Sequence, residues 1–355
     1  MAQENQDFYM KNKRTSIKDI AKALNVSITT ISFVLNGKGE ERKISKEVIK
    51  KIEDYAEQVN YRPNQVAQSL RTGKSKILVF MAEDIGNIFF AKIGRIIENI
   101  AYKKGYKVLF ASTDNDDVRS RELIDVFHER QVDGFIIVPS PGIKTDIERL
   151  IASDIPVVLC DRHFKDLDSN YVMLNNYGAS KRATDHLIEN GYKNIAFITI
   201  DTEQNQMIER AQGYIDTVQA ARLPVNVVSI PFSETNTEKG KAILREAFSS
   251  KSSNIDAVLF STNYLTQNSL ELFNEISPSL MHELGIITFD DDPFFKINTP
   301  SISSVAQPLQ EIGEECMRII FKLLKDKDRK NTTKTKVVLD ALLIARDSSQ
   351  RKKNF

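Results

Sequence analysis

The chain has no tryptophan, two cysteines and four histidines in 355 residues, and each scarcity removes a class of chemistry. Cys160 and Cys316 lie far apart, with no Cys-x-x-Cys spacing and no neighbouring histidine. Neither a disulfide framework nor a zinc site is expected, and both are read as reduced, packed thiols. The histidines, at 128, 163, 186 and 282, are scattered. His128-Glu129 is followed by Val132 where a zinc-hydrolase motif needs a second histidine, and His163 beside Asp161-Arg162 reads as a structural or ligand-contact residue rather than a base. There is no GxGxxG, Walker A or GxSxG motif. No catalytic residue, metal or cofactor is therefore expected. No run approaches the roughly 18 apolar residues of a membrane helix. Residues 1–14 lack an apolar signal core, so the expected location is cytoplasmic, with no membrane partner.

What is present is an uneven distribution of charge. The formal balance of the whole chain is +1, yet residues 1–76 hold 15 basic and 9 acidic side chains, a balance of +6, leaving −5 on the remainder. A small basic module suited to a polyanion is expected on a larger acidic body.

Residues 1–14 are polar and aperiodic, the pattern of a flexible arm. From Thr15 the pattern turns helical: Ile17, Ile20, Ala21 and Leu24 recur at i, i+3, i+4, i+7, and Ile31, Val34 and Leu35 resume it after a break at Asn25-Val26. A third helix is expected after Ser45 as N-cap, with Ile49, Ile52, Ala56 and Val59 facing inward as far as Tyr61. Arg62-Pro63 ends it, Pro63 opens a short helix through Leu70, and Thr72-Gly73-Lys74-Ser75 reads as a joint. Beyond it, apolar runs at 77–82, 106–112, 134–138, 156–160, 195–200, 257–260 and 285–289 alternate with helical segments. That rhythm indicates an α/β fold of two doubly wound parallel-sheet subdomains, with a break near Asn175-Asn176 and ligands beyond the carboxyl ends of the strands.

Two short helices joined by a tight turn on a positive segment fit a helix-turn-helix. With Ile31, Val34 and Leu35 inward, Ser27, Ile28, Thr29, Ser32 and Phe33 face out, Ser27 capping the helix. Such side chains suit the major groove, and serve equally well to solvate a surface helix.

Residues 15–70 contain Ser16-Ile17-Lys18-Asp19-Ile20-Ala21, Val26-Ser27-Ile28-Thr29-Thr30-Ile31-Ser32, Val34-Leu35-Asn36-Gly37 and Tyr61-Arg62-Pro63-Asn64, leading into Ala67-Gln68-Ser69-Leu70-Arg71. In that order they resemble the lactose-repressor (LacI/GalR) family of bacterial transcription regulators, and the similarity continues to about Ala345. The resemblance implies a recognition helix from Ser27, with Ile28 and Thr29 at the base-reading positions and Ser27, Thr30, Ser32 and Asn36 holding the DNA backbone. Phe33 departs from it: many relatives carry there a polar or basic side chain that reaches a base, and phenylalanine offers only apolar or stacking contact. Residues 63–70 resemble the family's hinge helix. Leu70 stands where relatives wedge a leucine into the minor groove, and Asn64 and Arg71 are carried over as DNA contacts.

The implied division is a flexible arm (1–14), a helix-turn-helix domain (15–62), a hinge helix and linker (63–75), an effector-binding and dimerisation core (76–346) and a tail (347–355). Within the core, subdomain 1 is expected at 76–175 and 304–327, and subdomain 2 at 176–303 and 328–346. The family's core resembles periplasmic sugar-binding proteins and holds an effector between its lobes. Carried over singly, Phe89 and Phe90 fall where relatives place ligand-stacking residues, Arg210 at the effector-bonding arginine, Asp290 at an acidic contact and Gln307 on the last crossover. Thr262 and Tyr264 join them as candidates. Plainer alternatives stay open: helix packing for the phenylalanines, a surface ion pair for Arg210, a helix cap for Asp290. Asn175-Asn176, Thr262-Asn263 and Thr266-Gln267-Asn268 depart from the common pattern and imply a pocket with less negative charge.

The expected function is a homodimeric, sequence-specific DNA-binding regulator, a repressor, acting on a near-palindromic operator and modulated by a small-molecule effector, a sugar or sugar derivative. The alternative is a solute-binding transport protein using the same core.

Overall fold

The computed structural model describes residues 15–62, 69, 73–249, 254–326, 328–329 and 331–350. The expected arm at 1–14, most of the hinge segment including Asn64, Leu70 and Arg71, and residues 351–355 of the expected tail lie outside the described residues. The chain divides into two compact units, Met1–Ser75 and Lys76–Phe355.

In the smaller unit, helices α1 (Ile17–Leu24), α2 (Ile28–Leu35) and α3 (Lys46–Gln58) enclose a core centred on Ile20, Ile31 and Ile52, each with no exposed surface. Side chains define their ends. Ser16 and Asp19 form a capping box on α1, Ser27 Oγ accepts from Thr30 N–H (3.0 Å) on α2, and Ser45 Oγ accepts from Val48 N–H (3.4 Å) on α3. Asn25, at φ 55°, makes the turn between α1 and α2, a left-handed position that asparagine tolerates. The third helix stops at Gln58, short of the expected Tyr61. Asn60 turns left-handed (φ 49°) and Tyr61 N–H closes back on the Ala56 carbonyl (2.8 Å).

The larger unit holds two six-stranded sheets. The first runs β11-β5-β4-β3-β1-β2, built from β1 (Ile77–Ala82), β2 (Lys107–Ser112), β3 (Gly134–Ile137), β4 (Val157–Cys160), β5 (Tyr171–Leu174) and β11 (Lys336–Leu339), all parallel. The second runs β12-β10-β9-β8-β6-β7, from β6 (Ile195–Asp201), β7 (Asn226–Pro231), β8 (Ala257–Phe260), β9 (Gly285–Phe289), β10 (Ser303–Ala306) and β12 (Leu342–Ile344), parallel except for β12. Strands β3, β4, β8 and β9 are buried throughout, as expected where helices cover both faces. The helices are α4 (Ile88–Lys103), α5 (Asp117–Glu129), α6 (Lys144–Ala152), α7 (Asn176–Glu189), α8 (Asn205–Ala220), α9 (Glu238–Ser249), α10 (Asn263–Ile276), α11 (Leu280–Glu283), α12 (Pro293–Ile297) and α13 (Leu309–Lys325).

The chain crosses between sheets three times, after Leu174, after Ala306 and after Leu339. Two crossings are bonded together: Asn175 N–H donates to the Leu339 carbonyl (2.8 Å) and Asn175 Nδ2 to Asp340 Oδ1 (2.9 Å). This connectivity corrects the expected subdomain limits. Residues 304–306 belong to the second sheet, because β10 pairs with β9, and 336–339 belong to the first, because β11 pairs with β5. Residues 347–350 are likewise no tail. Ser348 and Ser349 are buried, Ser348 Oγ donating to the Ile286 carbonyl (2.6 Å) and Ser349 Oγ sharing a hydrogen bond with Ser303 Oγ (2.6 Å).

Candidate functional site

Two candidate sites stand in the two units. In the smaller one, Ser27, Ile28 and Thr29 open α2 on an exposed surface, Ile28 keeping 45% of its area in solvent while Ile31 and Val34 fill the core. The exposed part of Ile28 is available for contact with another molecule. Thr30 and Ser32 are half-buried. Thr30 Oγ1 bonds Ser27 Oγ (2.8 Å), and Asn36 Nδ2 donates to the Ser32 carbonyl (2.6 Å), so both ends of α2 are held by the expected residues themselves. Phe33 is half-buried beneath the guanidinium of Arg42, whose carbon lies 4.8 Å from the ring centroid.

In the larger unit, Phe89, Phe90, Arg210, Thr262, Tyr264, Asp290 and Gln307 all line one cavity. They arrive from both sheets. Asn87 caps α4 by accepting from Phe89 N–H (3.0 Å), presenting Phe89 and Phe90 in the first turn, ring centroids 4.9 Å apart and edge to face. The two rings are at once core packing and cavity wall. Gly213 explains Arg210. A Cβ there would meet the Tyr177 carbonyl at 2.4 Å, so only glycine lets α8 press against α7. Arg210, one turn earlier, then reaches Asn176 Oδ1 with Nε (2.8 Å) and the Ser261 carbonyl with Nη1 (2.6 Å), and lies 4.0 Å from the Phe289 ring centroid. It is 2% exposed, which rules out a surface ion pair. The cap of α12 is Asp292, whose Oδ1 accepts from Phe294 N–H (2.9 Å); Asp290 instead accepts from Gln307 Nε2 (2.7 Å). Thr262 caps α10, which aims Tyr264 at the cavity.

The sequence reading missed Glu83, Asn87, Asp161, Arg162, Gln206 and Asn263 in the same wall. Arg162 pairs with the Glu83 carboxylate and donates Nη1 to Asn115 Oδ1 (2.8 Å). Their signal was positional: Glu83 follows β1 and Asp161-Arg162 follow β4, the strand ends where doubly wound sheets hold ligands. Asp161 (φ 67°) and Asp290 (φ 70°) occupy the left-handed region, each at the end of a strand in its own lobe. Non-glycine residues there cost of order 1 kcal/mol, strain that collects at ligand sites.

Electrostatically the cavity opposes two guanidiniums, Arg162 and Arg210, to three carboxylates, Glu83, Asp161 and Asp290. Asn176 accepts from Arg210 Nε, and the carboxylates of the cavity come from strand ends. Burial raises the Asp161 carboxyl against the pull of Arg162 and Arg210, and raises Asp290 against Arg210 and the Gln307 hydrogen bond. Burial lowers Arg210, while in Arg162 the same effect is outweighed by Glu83 and Asp161 and the group is raised. Arg162 Nε, Gln206 Oε1 and Gln307 Oε1 are buried without a hydrogen bond, an arrangement that a polar ligand would complete. Three hydrogen bonds join the lobes around it: Asn263 Nδ2 to Asn87 Oδ1 (3.3 Å), Gln204 Nε2 to Asn115 Oδ1 (2.8 Å), and Asn205 Nδ2 with His163 Nδ1 (3.1 Å). Outward, Glu83, Asn87, Asn263 and Tyr264 are shared with an open cleft of about 1250 Å³. Among the described residues no cluster of His, Cys, Asp and Glu is placed to hold a metal ion, and no helix is long and apolar enough to cross a membrane.

Residues 16–64 match the family described as "Bacterial regulatory proteins, lacI family". Residues 74–266 match "Periplasmic binding proteins and sugar binding domain of LacI family", and 184–349 match "Periplasmic binding protein-like domain". Similar proteins include the ribose operon repressor of Halalkalibacterium halodurans, 28% identical over 313 residues, covering 88% of this chain and 91% of the relative. A crystal structure of a putative ribose operon repressor from Burkholderia thailandensis is 26% identical, with a TM-score of 0.66 over 76% of this chain and 99% of that one. The lac repressor dimer bound to operator and the anti-inducer ONPF shares the fold at 16% identity, with a TM-score of 0.81 over 95% of this chain and 100% of that one.

Proposed function

The chain belongs to the LacI family of bacterial regulatory proteins, and from that premise we propose that its cleft binds an uncharged sugar which sets the affinity of its head for operator DNA. It is a sequence-specific DNA-binding transcriptional regulator acting as a homodimer in the cytoplasm, without catalysis. The observation that carries the ligand reading is that seven residues singled out in the sequence line one cavity with buried, unsatisfied polar atoms.

The chemistry fits a polyol. Carboxylates at Asp161 and Asp290 accept from vicinal hydroxyls, the guanidiniums of Arg162 and Arg210 donate to them, and Phe89 and Phe90 offer apolar surface to the ring carbons. Two positive groups facing three negative ones leave no surplus for a phosphate or carboxylate ligand. Similarity to ribose operon repressors points to small sugars of that size. Ser27, Ile28, Thr29, Thr30, Ser32 and Asn36 form the proposed operator face, joined by Asn64, Leu70 and Arg71 of the hinge segment. Ligand held by both lobes favours their closed arrangement, and any coupling to operator affinity is reciprocal. A solute-binding transport role, the alternative, gives no use to the head matched at residues 16–64.

A thermal-shift panel of pentoses, hexoses and their phosphates tests the ligand. The expected result is a concentration-dependent rise in Tm with one or a few neutral sugars. A response confined to phosphorylated sugars would refute the charge argument.

A further inference from the structure

We propose that Arg42, whose guanidinium lies over the ring of Phe33, is a base-reading residue of the DNA interface and contacts the O6/N7 edge of a guanine. The inference rests on the DNA-binding reading and concerns a residue outside the expected recognition helix. Phe33 follows Thr29 by four residues, so both side chains project from one face of α2, and Thr29 is exposed at its start. Phenylalanine at this position has no donor of its own. The donor arrives from the loop after α2, with the Arg42 guanidinium carbon 4.8 Å from the Phe33 ring centroid.

The loop is built to place it. Gly37 turns at φ 70°, which lets Lys38 N–H return to the Phe33 carbonyl (2.8 Å). Arg42 N–H then donates to the Lys38 carbonyl (3.0 Å), and Ile44 N–H to the Gly39 carbonyl (3.0 Å). Ile44 packs on the head's core, and a Cβ on Gly39 would meet Ile49 Cδ1 at 2.8 Å, so the loop is fixed at both ends. Although Glu40 and Glu41 precede it, no carboxylate among the described residues pairs with Arg42. A cation–π contact consumes no hydrogen-bond acceptor and leaves N–H donors of the guanidinium for another partner. The guanidinium fork matches guanine O6 and N7, whereas a lysine ammonium on the same ring is a point charge. The ring thus supplies by its cation–π contact the order that a helix-borne arginine would obtain from its own backbone.

The test is selection of duplexes from a random-sequence DNA library by the full-length protein, followed by affinity measurements on the selected operator. Arg42→Ala and Arg42→Lys should each erase the preference for G·C at one and the same position per half-site. Each should also weaken the selected operator by about 10- to 100-fold, the discrimination of a bidentate base contact. Phe33→Leu, which keeps apolar bulk without a ring, should relax that same position. The double variant Phe33→Leu/Arg42→Ala should lose no more than Arg42→Ala alone. Thermal melts of each variant separate loss of contact from loss of fold. An unchanged selected sequence in Arg42→Ala, or equal losses on operator and on unrelated duplex with a shallower salt dependence, would make Arg42 a phosphate contact and overturn the proposal. A Phe33→Leu variant that keeps the G·C preference would overturn the role of the ring. Failure of the unmodified protein to select any sequence would instead refute operator binding itself.

Discussion

Replacing Asp290 by asparagine should weaken effector binding while leaving the unliganded protein as stable as before or more so. The carboxylate accepts from Gln307 through Oδ1, no hydrogen bond among the described residues takes Oδ2, and the residue lines the cavity. Asparagine preserves volume and the Gln307 contact through its own carbonyl, so what disappears is the charge behind a hydrogen bond to a ligand hydroxyl. Charge-assisted bonds contribute about 1.5–3 kcal/mol against about 0.5–1.5 for neutral ones, a difference of about 1–1.5 kcal/mol or roughly 5- to 13-fold in Kd. Stability moves the other way. Burial raises the Asp290 pKa despite Arg210 and Gln307, so the ionised group is a net cost to the fold at neutral pH, and an uncharged isostere removes it. Calorimetric titration with a sugar identified by thermal shift, beside melts of the unliganded protein at pH 7, measures both. An unchanged Kd, or a weakened Kd accompanied by a fall in Tm of many degrees, would refute the assignment of Asp290 as a ligand contact.

Acidification should act in the same two directions. Asp161 and Asp290 both titrate above the ordinary carboxylate value of about 4, so effector affinity falls as pH drops through that raised range. Their contribution to stability is complete below the ordinary value and lost as pH rises through the raised one, so these two groups make acid stabilising there. Affinity flat down to pH 4 would contradict it. Ser27→Ala removes the acceptor for Thr30 N–H and the Thr30 hydroxyl contact, and should destabilise the head by about 1 kcal/mol, read by amide exchange in α2. If Leu70 is a minor-groove wedge, Leu70→Ala should weaken operator binding far more than binding to unrelated duplex in a salt-controlled assay, and equal losses would count against that role.

Much of this molecule was legible because its signals are local. Ile17, Ile20, Ala21 and Leu24 mark α1, and the continuous apolar runs that became β3, β4, β8 and β9 declare themselves without partners. Strands whose identity depends on their neighbours did not. Asn226–Pro231 is an edge strand with alternating exposure, and Leu342–Ile344 is three residues long and exists only against β10. The exchange of β10 and β11 between lobes has the same origin: nothing in Lys336–Leu339 specifies pairing with Tyr171–Leu174. In the cleft, residues recognisable one at a time line one wall, while Glu83, Asp161 and Arg162 needed the sheet ends to bring them together. The role of Asn176, holding Arg210 across two packed helices, is likewise a tertiary property.

The most direct measurement is of reciprocity between the two ligands. With an operator taken from duplex selection and a sugar taken from the thermal-shift panel, operator Kd is determined with and without saturating sugar, and sugar Kd with and without saturating operator. One factor, well removed from unity, should describe both changes and carry the same sign. Operator affinity unaffected by saturating sugar, with the sugar bound in the cleft, would contradict the account.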